Sequence, residues 1–456
     1  MSLQRGKNNI NMTEGPLFGN IIRYTIPIIL TGILQLLFNA ADLMVIGNFR
    51  GSDSVAAVGS TGSITMLLTS LLIGMATGVG VIAAQTMGAT DNDGASKVVH
   101  TAIPVAVICG VTIGLIGIIF AEPLLTMMDT PAIILPKSAL YMRICFSGTV
   151  FSLTYNFSAA ILRASGDTKG PLVYLTIGGV TNVGLNVIFV TLLNMDVEGV
   201  AIATVTSQAI SCVLVIIRLI RVNEEWKLIL KKIKIDFKML GKIIRIGLPA
   251  GIQGSVFALS NVIIQSSVNS FGASAVAGNA AAANIDGFTY VVMNSFYQAT
   301  LNFTGQNVGA GKINRLGKIM RANMVVCVLA AMLMSGVIFL FSRELLGIYI
   351  TDDALAVEFG IIRLIWLGIP YFLCGIGEVL VGSIRGMGAS VTPMVTSILC
   401  ICGIRLVWIF TIFAMPQYHS MESLYLSYSV SWIACAIGHF ISFKVLKNRL
   451  QRRLKQ

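Results

Sequence analysis

The chain has 456 residues, of which 55% are hydrophobic and only 11% are charged, and its mean hydropathy is +0.83. Soluble domains carry about 25% charged residues, so this composition excludes a water-soluble protein and indicates an integral membrane protein. The net charge of +12 comes from basic residues scattered over many loops, as is typical of loops facing anionic headgroups. No nucleic-acid-binding motif accompanies this charge.

Twelve apolar runs are long enough to cross a bilayer as helices, which takes about 20 residues each. The predicted spans are residues 21–47, 55–86, 99–120, 139–162, 171–193, 199–220, 243–270, 275–305, 320–341, 359–383, 393–414 and 423–444. A membrane β-barrel would instead show alternating segments of about ten residues, whereas these runs are continuously apolar. We therefore predict an all-α integral membrane protein with twelve transmembrane helices.

Lys and Arg are concentrated in every second loop, which predicts that those loops face the cytoplasm. The basic loops include Lys97, the linker around residues 218–245 and Arg385, whereas the alternate loops carry mostly acids, such as Asp196 and Asp352. With an even number of spans, we expect both termini of this multi-pass protein to lie in the cytoplasm.

Short sequences recur about 222 residues apart, which indicates that the chain contains two homologous halves. ILRASGDTKGP at 161–171 and SIRGMGASVTP at 383–393 share Arg, Gly and Pro at the same spacing. Further pairs with nearly this offset are AAQTMGA at 83–89 with TGQNVGA at 304–310, GSDSVAAVG at 51–59 with GASAVAGNA at 272–280, Pro27 with Pro249, and Arg143 with Arg363.

Six spans in each half mean that both halves enter the membrane from the same side, so the repeat is parallel. We predict two pseudo-symmetric six-helix lobes, an N-terminal lobe at 1–220 and a C-terminal lobe at 241–446, with a basic cytoplasmic linker at 221–240 and a basic cytoplasmic tail at 447–456. In the repeated turn, the Arg is expected to anchor a helix end at the headgroups, Gly to end that helix and Pro to start the next. This architecture indicates a transporter. The sequence contains neither an HExxH nor a GxSxG motif, so it gives no sign of an enzyme.

Ionisable residues inside spans cost about 2.5–3.5 kcal/mol each on insertion and are therefore candidates for function. The N-terminal candidates are Gln35, Asn39 and Asp42 on one face of the first span, Asn182 and Asn186 on the fifth, and Thr204 and Gln208 on the sixth. We predict that they line a polar cavity in which the Asp42 carboxylate, with amide and hydroxyl oxygens, holds Na+ or a proton. Hydrogen bonding between helices is the alternative role of the amides.

The second half carries its own acids. On the eighth span, one face presents Asp286, Tyr290, Met293 and Tyr297, and the tenth span contains Glu378. An acid flanked by aromatic rings and Met suits lipophilic cations, through charge, cation–π contact and adaptable packing. We predict a substrate or coupling site here. Arg405 on the eleventh span is predicted to be a structural partner that pairs with Glu378 or Asp286, which would make that acid structural.

Taken together, these elements resemble the bacterial branch of the multidrug and toxic compound extrusion (MATE) transporters, from about residue 13 to 445. The resemblance rests on MTEGPLFGNIIRYTIPIIL, QLLFNAADLMVIG, the paired Q-x-x-G-A elements, LRASGDTKGP and TGQNVGAGK. It implies two lobes around a V-shaped cleft, and export of lipophilic cationic drugs from the bacterial inner (cell) membrane in antiport with Na+ or H+. It implies no cofactor beyond the coupling ion, and we expect a monomer.

The resemblance also carries over to single positions. Members of the family use an acid in the first helix, which is matched here by Asp42. They also use polar residues in the fifth and sixth helices, which are matched by Asn182, Asn186 and Thr204. The resemblance therefore implies that Na+, if it is the coupling ion, is held at Asp42 and Asn182. Several members have Asp where this chain has Asn186, which leaves the choice of ion open. Asp286 stands where the bacterial branch usually carries Glu. The alternatives are a flippase for lipid-linked precursors from the related superfamily and a membrane enzyme or receptor.

Overall fold

A computed structural model of the chain describes residues 10–453, apart from the side chains at positions 63, 67 and 68. All regular secondary structure in this range is helical. Residues 1–9 of the predicted N-terminal lobe and residues 454–456 of the predicted tail lie outside the described residues.

The helices of the first half run in chain order from the amino-terminal end to the linker. They are α1 (Leu17–Arg50), α2 (Ser52–Ser60), α3 (Gly62–Gly88), α4 (Asn92–Met127), α5 (Leu135–Ser147), α6 (Thr149–Ser165), α7 (Lys169–Val187), which continues as a π-helical turn (Ile188–Leu192), and α8 (Val197–Arg221). A short 3-10 turn (Leu230–Lys232) lies in the linker.

The helices of the second half follow the linker. They are α9 (Phe237–Asn269), α10 (Ala273–Gly309), α11 (Leu316–Leu340), α12 (Ser342–Gly347), α13 (Ala354–Arg363), α14 (Tyr371–Gly386), α15 (Val391–Ser397), α16 (Ile404–Phe410) and α17 (Met421–Arg453). π-Helical segments follow α13 (Leu364–Gly368) and join α15 to α16 (Ile398–Gly403), and 3-10 turns lie at Ile313–Arg315 and Pro416–Tyr418.

The predicted spans coincide with these helices. Within the described residues, nine helices are long and apolar enough to cross a membrane, and two more spans are pairs bent at a break, α5 with α6 by 45° and α13 with α14 by 44°. The twelfth predicted span, 275–305, falls on α10, whose 37 residues include several Asn, Gln and Asp side chains and which is not among these eleven. The prediction of an all-α membrane protein with twelve helices in two six-helix lobes is confirmed.

In the first half, the glycine of the repeated turn ends a helix as predicted, whereas in the second half the arginine does not lie where it was predicted. Gly166, in the left-handed conformation at φ +99°, ends α6, and the Asp167 carboxylate accepts a hydrogen bond from the Gly170 N–H at 2.8 Å where α7 begins. In the second half, Arg385 is only 6% exposed. Its guanidinium donates to the Tyr297 hydroxyl and to Gln253 Oε1, both at 2.8 Å. The prediction that this Arg anchors a helix end at the headgroups is therefore wrong for Arg385.

The chain divides into two compact units, and each unit includes the beginning of a helix whose remainder belongs to the other. Among the described residues, unit 1 comprises 10–11 and 26–251, and unit 2 comprises 12–25 and 252–453. Helix α1 passes from unit 2 to unit 1 next to Pro27, and α9 passes from unit 1 to unit 2 just after Pro249. The predicted linker at 221–240 lies inside unit 1.

In unit 1, the beginning of α9 packs against α3 through glycines on both helices. A Cβ atom on Gly247 would lie 2.7 Å from the Met75 Cα, and one on Gly251 would lie 2.6 Å from the Leu71 Cα. A Cβ on Gly74 would lie 2.7 Å from the Gly247 carbonyl oxygen, and one on Gly78 would overlap the backbone of α9. The two backbones are therefore in direct contact, as in membrane helix pairs with small residues at their interface.

In unit 2, the segment 12–25 packs against α10. The Tyr24 ring meets the Phe303 ring edge-on at a centroid distance of 5.4 Å. The Asn307 side-chain amide donates to the Met12 carbonyl at 2.9 Å, and Lys312, just beyond α10, forms a 3.1 Å ion pair with Glu14. Side-chain contacts therefore hold the segment 12–25 against α10, whereas the beginning of α9 is held against α3 by contact between the two backbones.

Candidate functional site

In unit 1, Asp42 lies at the centre of a buried hydrogen-bonded cluster. Its Oδ1 accepts from the Asn186 amide and its Oδ2 accepts from the Thr204 hydroxyl at 3.3 Å. The Asn186 amide also donates to Asn182 Oδ1 at 3.3 Å, and the Asn182 amide donates to the Thr204 hydroxyl at 3.4 Å. Side chains from α1, α7 and α8 therefore close a ring of polar contacts around one carboxylate.

The sequence of α7 explains why these three helices meet. Asn182 and Asn186 are four residues apart and so share one helical face. About one turn before Asn182, Gly178 and Gly179 lack the Cβ atoms that would overlap the Ser211 side chain of α8 and the Phe38 ring of α1, respectively. The close approach of the helices brings the two amides within reach of Asp42.

A cavity of about 490 Å³ lies beside this cluster, within unit 1. Of the predicted residues, Asn39, Asp42, Thr204 and Gln208 line it, whereas Asn182 and Asn186 are buried behind Asp42. The predicted Gln35 is exposed and is not part of the lining. Lining residues that the sequence analysis missed include Thr61, Thr65, Thr69, Tyr141, Thr149 and Ser152. Single hydroxyl residues in apolar spans commonly bond to their own backbone, as Thr69 does to the Thr65 carbonyl, so their sequence carries no signal for a cavity.

The donor atoms around Asp42 suit a hard cation or a proton. The Asn186 Oδ1 is buried and has no hydrogen-bond partner within the described residues. Together with the Asp42 carboxylate, Asn182 Oδ1 and the Thr204 hydroxyl, it provides an oxygen-only set, the ligand type that hard cations prefer. In the described range no group of three or more His, Cys, Asp or Glu side chains could hold a metal ion.

In unit 2, Asp286 forms a buried ion pair with Arg363. The Arg363 Nε lies 3.0 Å from Asp286 Oδ2, and the two side chains are 14% and 3% exposed. Arg363 also donates to Asn279 Oδ1 at 2.7 Å, and the Tyr425 hydroxyl donates to the same oxygen at 2.8 Å. The Asp286 carboxylate is therefore neutralised by the Arg363 guanidinium, whereas the Asp42 carboxylate is bonded to an amide and a hydroxyl.

This pairing excludes Asp286 as one of the two acids predicted to pair with Arg405. Arg405 donates to the Ser431 hydroxyl at 3.1 Å and lies over the Tyr428 ring at 3.7 Å from its centroid. Its predicted pairing with Asp286 is wrong, because Arg363 takes that position. From the sequence, Arg363 is recognisable only as a mark of the repeat, since no local pattern links two residues 77 positions apart.

The other side chains of the predicted unit 2 site are directed to separate neighbours. Met293 packs against Cys327 with 3.7 Å between the two sulfur atoms, Tyr297 is bonded to Arg385, and Tyr290 is 44% exposed. Glu378 lines a separate small cavity of about 20 Å³ together with Gln253 and His439. The structure therefore does not bring Asp286, its aromatic neighbours and Glu378 into one described cavity.

Comparison with known families identifies the chain. The MatE family model matches residues 27–188 and again residues 249–411, together more than half of the sequence. The chain belongs to the MatE family. The two matches begin 222 residues apart, which is the offset of the sequence repeat. The predicted MATE resemblance is confirmed, and with it the prediction of a transporter and not an enzyme.

Relatives of this MatE protein carry different names. It is 27% identical over 411 residues, covering 88% of this chain and 87% of the relative, to the probable multidrug resistance protein YoeA of Bacillus subtilis. It is 23% identical to a protein named FAD transporter from Shewanella oneidensis, covering 76% of this chain and 77% of the relative. The solved outward-facing structure of a multidrug resistance MATE family transporter shares the fold, with a TM-score of 0.90 at 20% identity, covering 99% of this chain and all of that one.

Proposed function

We propose that this protein is a secondary active multidrug exporter that moves lipophilic organic cations out of the cell in antiport with Na+ or H+. The observation that carries the proposal is the Asp42 cluster: an acid buried among neutral amide and hydroxyl groups, with no basic partner among the described residues, beside a cavity of about 490 Å³. Membership of a transporter family and a relative named for multidrug resistance support it.

Asp42 would exchange the coupling ion, because its charge is compensated by dipoles and not by a fixed base. An ion arriving from outside binds the carboxylate and takes up the unpaired Asn186 Oδ1, which draws α1 and α7 together. Pro27 lies 15 residues earlier on α1, where a proline removes one helix hydrogen bond and allows bending. In this mechanism the two lobes rock to alternate access, and ion binding at Asp42 weakens drug binding.

One coupling ion drives the export of one drug cation through its concentration gradient. A single charge that crosses 100 mV gains about 2.3 kcal/mol, but a monovalent drug cation that leaves loses the same amount, so the potential cancels in a one-for-one exchange. A tenfold gradient of the coupling ion supplies about 1.4 kcal/mol, which supports about a tenfold gradient of the drug.

The test is export of a fluorescent lipophilic cation from proteoliposomes, with Na+ and H+ gradients imposed separately. We expect one gradient to drive export by the wild type and Asp42→Asn to abolish it. Asp53→Asn is the matched control, because Asp53 is an exposed acid of α2 outside the cluster, and it should export as the wild type does. Export that survives Asp42→Asn would move the coupling site away from unit 1.

The same vesicles test other cargo. Unit 2 buries two arginines, Arg385 and Arg405, at 6% and 5% exposure, and one relative is named FAD transporter. If neither gradient moves any cation, assays with flavin dinucleotide and with a lipid-linked precursor decide between an anion carrier and a flippase. Cation export by the wild type that flavin does not compete with supports the multidrug proposal.

A further inference from the structure

The linker between α8 and α9 is a docked segment and not a free connector. The Leu228 N–H donates to the Leu219 carbonyl at 3.0 Å, and the Ile229 N–H donates to His100 Nε2 at 3.1 Å. The Asp236 N–H donates to the Thr101 hydroxyl at 3.0 Å, and the Trp226 side chain is 6% exposed. The linker backbone is therefore fixed to the ends of α4 and α8 within unit 1.

This fixed backbone directs a mixed apolar and basic set of side chains outward. Leu230 is 62% exposed and Phe237 is 81% exposed. The exposed basic side chains between and beside them are Lys231, Lys232, Lys234 and Lys238. Large apolar side chains that are mostly exposed among lysines are typical of segments that lie in a membrane interface.

Residues 226–238 contain five lysines and one acid, Asp236. The Asp236 carboxylate accepts the backbone N–H groups of Met239 at 3.0 Å and Lys238 at 2.9 Å, and the first of these contributes most to lowering the pKa of Asp236. Glu225 accepts a hydrogen bond from the Asn92 amide. The outward-facing surface of the linker therefore keeps a positive charge.

The apolar residues continue into the surface of a membrane-spanning helix. Phe237 is the first residue of α9, and Ile244 and Leu248, seven and eleven positions later, lie on the same helical face with exposures of 38% and 40%. On a helix that crosses the membrane, an exposed apolar face contacts lipid. Phe237 therefore stands where this lipid-facing stripe reaches the level of the headgroups.

We propose that residues 226–238 form a binding surface for anionic phospholipid headgroups. The four lysines contact the headgroup phosphates, and Leu230 and Phe237 insert between the lipids. Because the linker backbone is bonded to α4, lipid bound here stabilises the cytoplasmic end of unit 1. This surface is separate from the Asp42 cluster, so the proposal does not depend on the transport mechanism.

The test measures the apparent melting temperature of the full-length protein in detergent micelles, with added dioleoylphosphatidylglycerol or dioleoylphosphatidylcholine. We expect the anionic lipid to raise the melting temperature of the wild type by about 3 °C more than the zwitterionic lipid does, since ligands that bind only the folded state stabilise it. The variant K231Q/K232Q/K234Q/K238Q should lose at least half of this difference. The matched control replaces four exposed basic residues of α17, Lys444, Arg449, Arg452 and Arg453, by Gln and should keep it.

Two further arms decide the source of the phosphate and the role of the apolar residues. Glycerol 3-phosphate at the same concentration should give no shift, and an equal shift would overturn the lipid proposal. Leu230→Ala with Phe237→Ala should reduce the shift while leaving the lysines in place. The proposal fails if the four-Gln linker variant keeps the full lipid effect, or if the α17 control loses as much.

A measurement on the wild type alone covers the case in which the linker variant does not fold. The lipid-dependent shift should shrink when salt is raised from about 0.05 M to about 0.5 M, because exposed charges are screened over a few ångströms at high ionic strength. A shift that is independent of both salt and headgroup charge would overturn the proposal.

Discussion

At the scale of single residues, the two buried aspartates differ in what surrounds them. Asp42 accepts hydrogen bonds from Asn186 and Thr204, whereas Asp286 is paired with the guanidinium of Arg363. An acid compensated by neutral dipoles can exchange a cation without displacing a base, and an acid held by arginine cannot. This difference makes Asp42 the stronger candidate for ion coupling and Asp286 the stronger candidate for a structural role.

If Asp286 is structural, removing it alone will leave Arg363 as an unpaired buried charge. We expect Asp286→Ala to destabilise the protein by about 3–5 kcal/mol, the usual cost of breaking a buried ion pair. The measurement is the apparent melting temperature and the fraction of monodisperse protein on size-exclusion chromatography.

The double variant Asp286→Leu with Arg363→Met separates structure from transport, because it removes both charges together. We expect it to regain most of the lost stability and to export drug in the proteoliposome assay. A stable double variant without export would show that Asp286 takes part in transport.

The sequence predicted the Asp42 cluster because helical spacing determines which side chains share a face. Asn182 and Asn186 were found in this way, and both lie in the hydrogen-bonded cluster around Asp42. It could not show that Asp286 meets Arg363 and not Arg405, because that choice depends on how α10 packs against the helices of the second half. Periodicity describes one helix at a time and contains no information on its neighbour.

At the scale of helices, hydropathy predicted where the spans lie but not where they break. Gly148 separates α5 from α6 inside one apolar run, and π-helical turns interrupt the spans at Ile188–Leu192, Leu364–Gly368 and Ile398–Gly403. A run of apolar residues looks the same whether its helix is straight or broken. The glycine contact of α3 with α9 was missed for the same reason, since Gly74 and Gly78 lie in a run that reads as one ordinary span.

The contact between α3 and α9 is sensitive to a single methyl group. We expect Gly78→Ala to destabilise the protein by about 1–3 kcal/mol, because the new Cβ overlaps the backbone of α9. Gly336→Ala on α11 is the matched control, since a Cβ there meets nothing within 4 Å. Thermal unfolding in detergent compares the two, and an equal effect of both substitutions would contradict the close packing.

The start of α8 is held by a polar contact that depends on pH. Asp196 accepts from the Ser54 hydroxyl at 2.6 Å and pairs with Lys137 at 2.7 Å. Burial raises the pKa of Asp196, but the hydrogen bonds from Lys137 and Ser54 outweigh it and lower the pKa below its usual range. A lowered pKa in the folded state means that the contact stabilises the protein above the pKa of the unfolded chain and is lost as the pH falls through the folded pKa.

Asp196→Asn should therefore lower the apparent melting temperature only when the carboxylate is ionised. We expect a loss of about 0.5–1 kcal/mol at pH 7, as for partly exposed ion pairs, and a difference from the wild type that shrinks as the pH falls through the folded-state pKa. Melting curves between pH 3 and pH 7 check this. A difference that stays constant down to pH 3 would show that the carboxylate charge is not its origin.

At the scale of the whole molecule, the repeat was predictable because paired motifs kept their spacing in the chain. The family matches at 27–188 and 249–411 agree with that offset. The membership of residues 12–25 in unit 2 and of 237–251 in unit 1 was not predictable. Both segments belong to continuous helices, and composition does not change where α1 or α9 passes from one unit to the other.

This reciprocal exchange of helix beginnings makes the protein a domain-swapped pair within one polypeptide. A chain cut at the linker into fragments 1–225 and 226–456 would not yield two self-sufficient halves. The first fragment lacks the glycine-lined start of α9 that unit 1 requires, and the second lacks the segment 12–25 that packs on Phe303 and Asn307. Expressed separately, the fragments should be degraded; expressed together, they should copurify as a split protein whose complementation depends on the swapped segments.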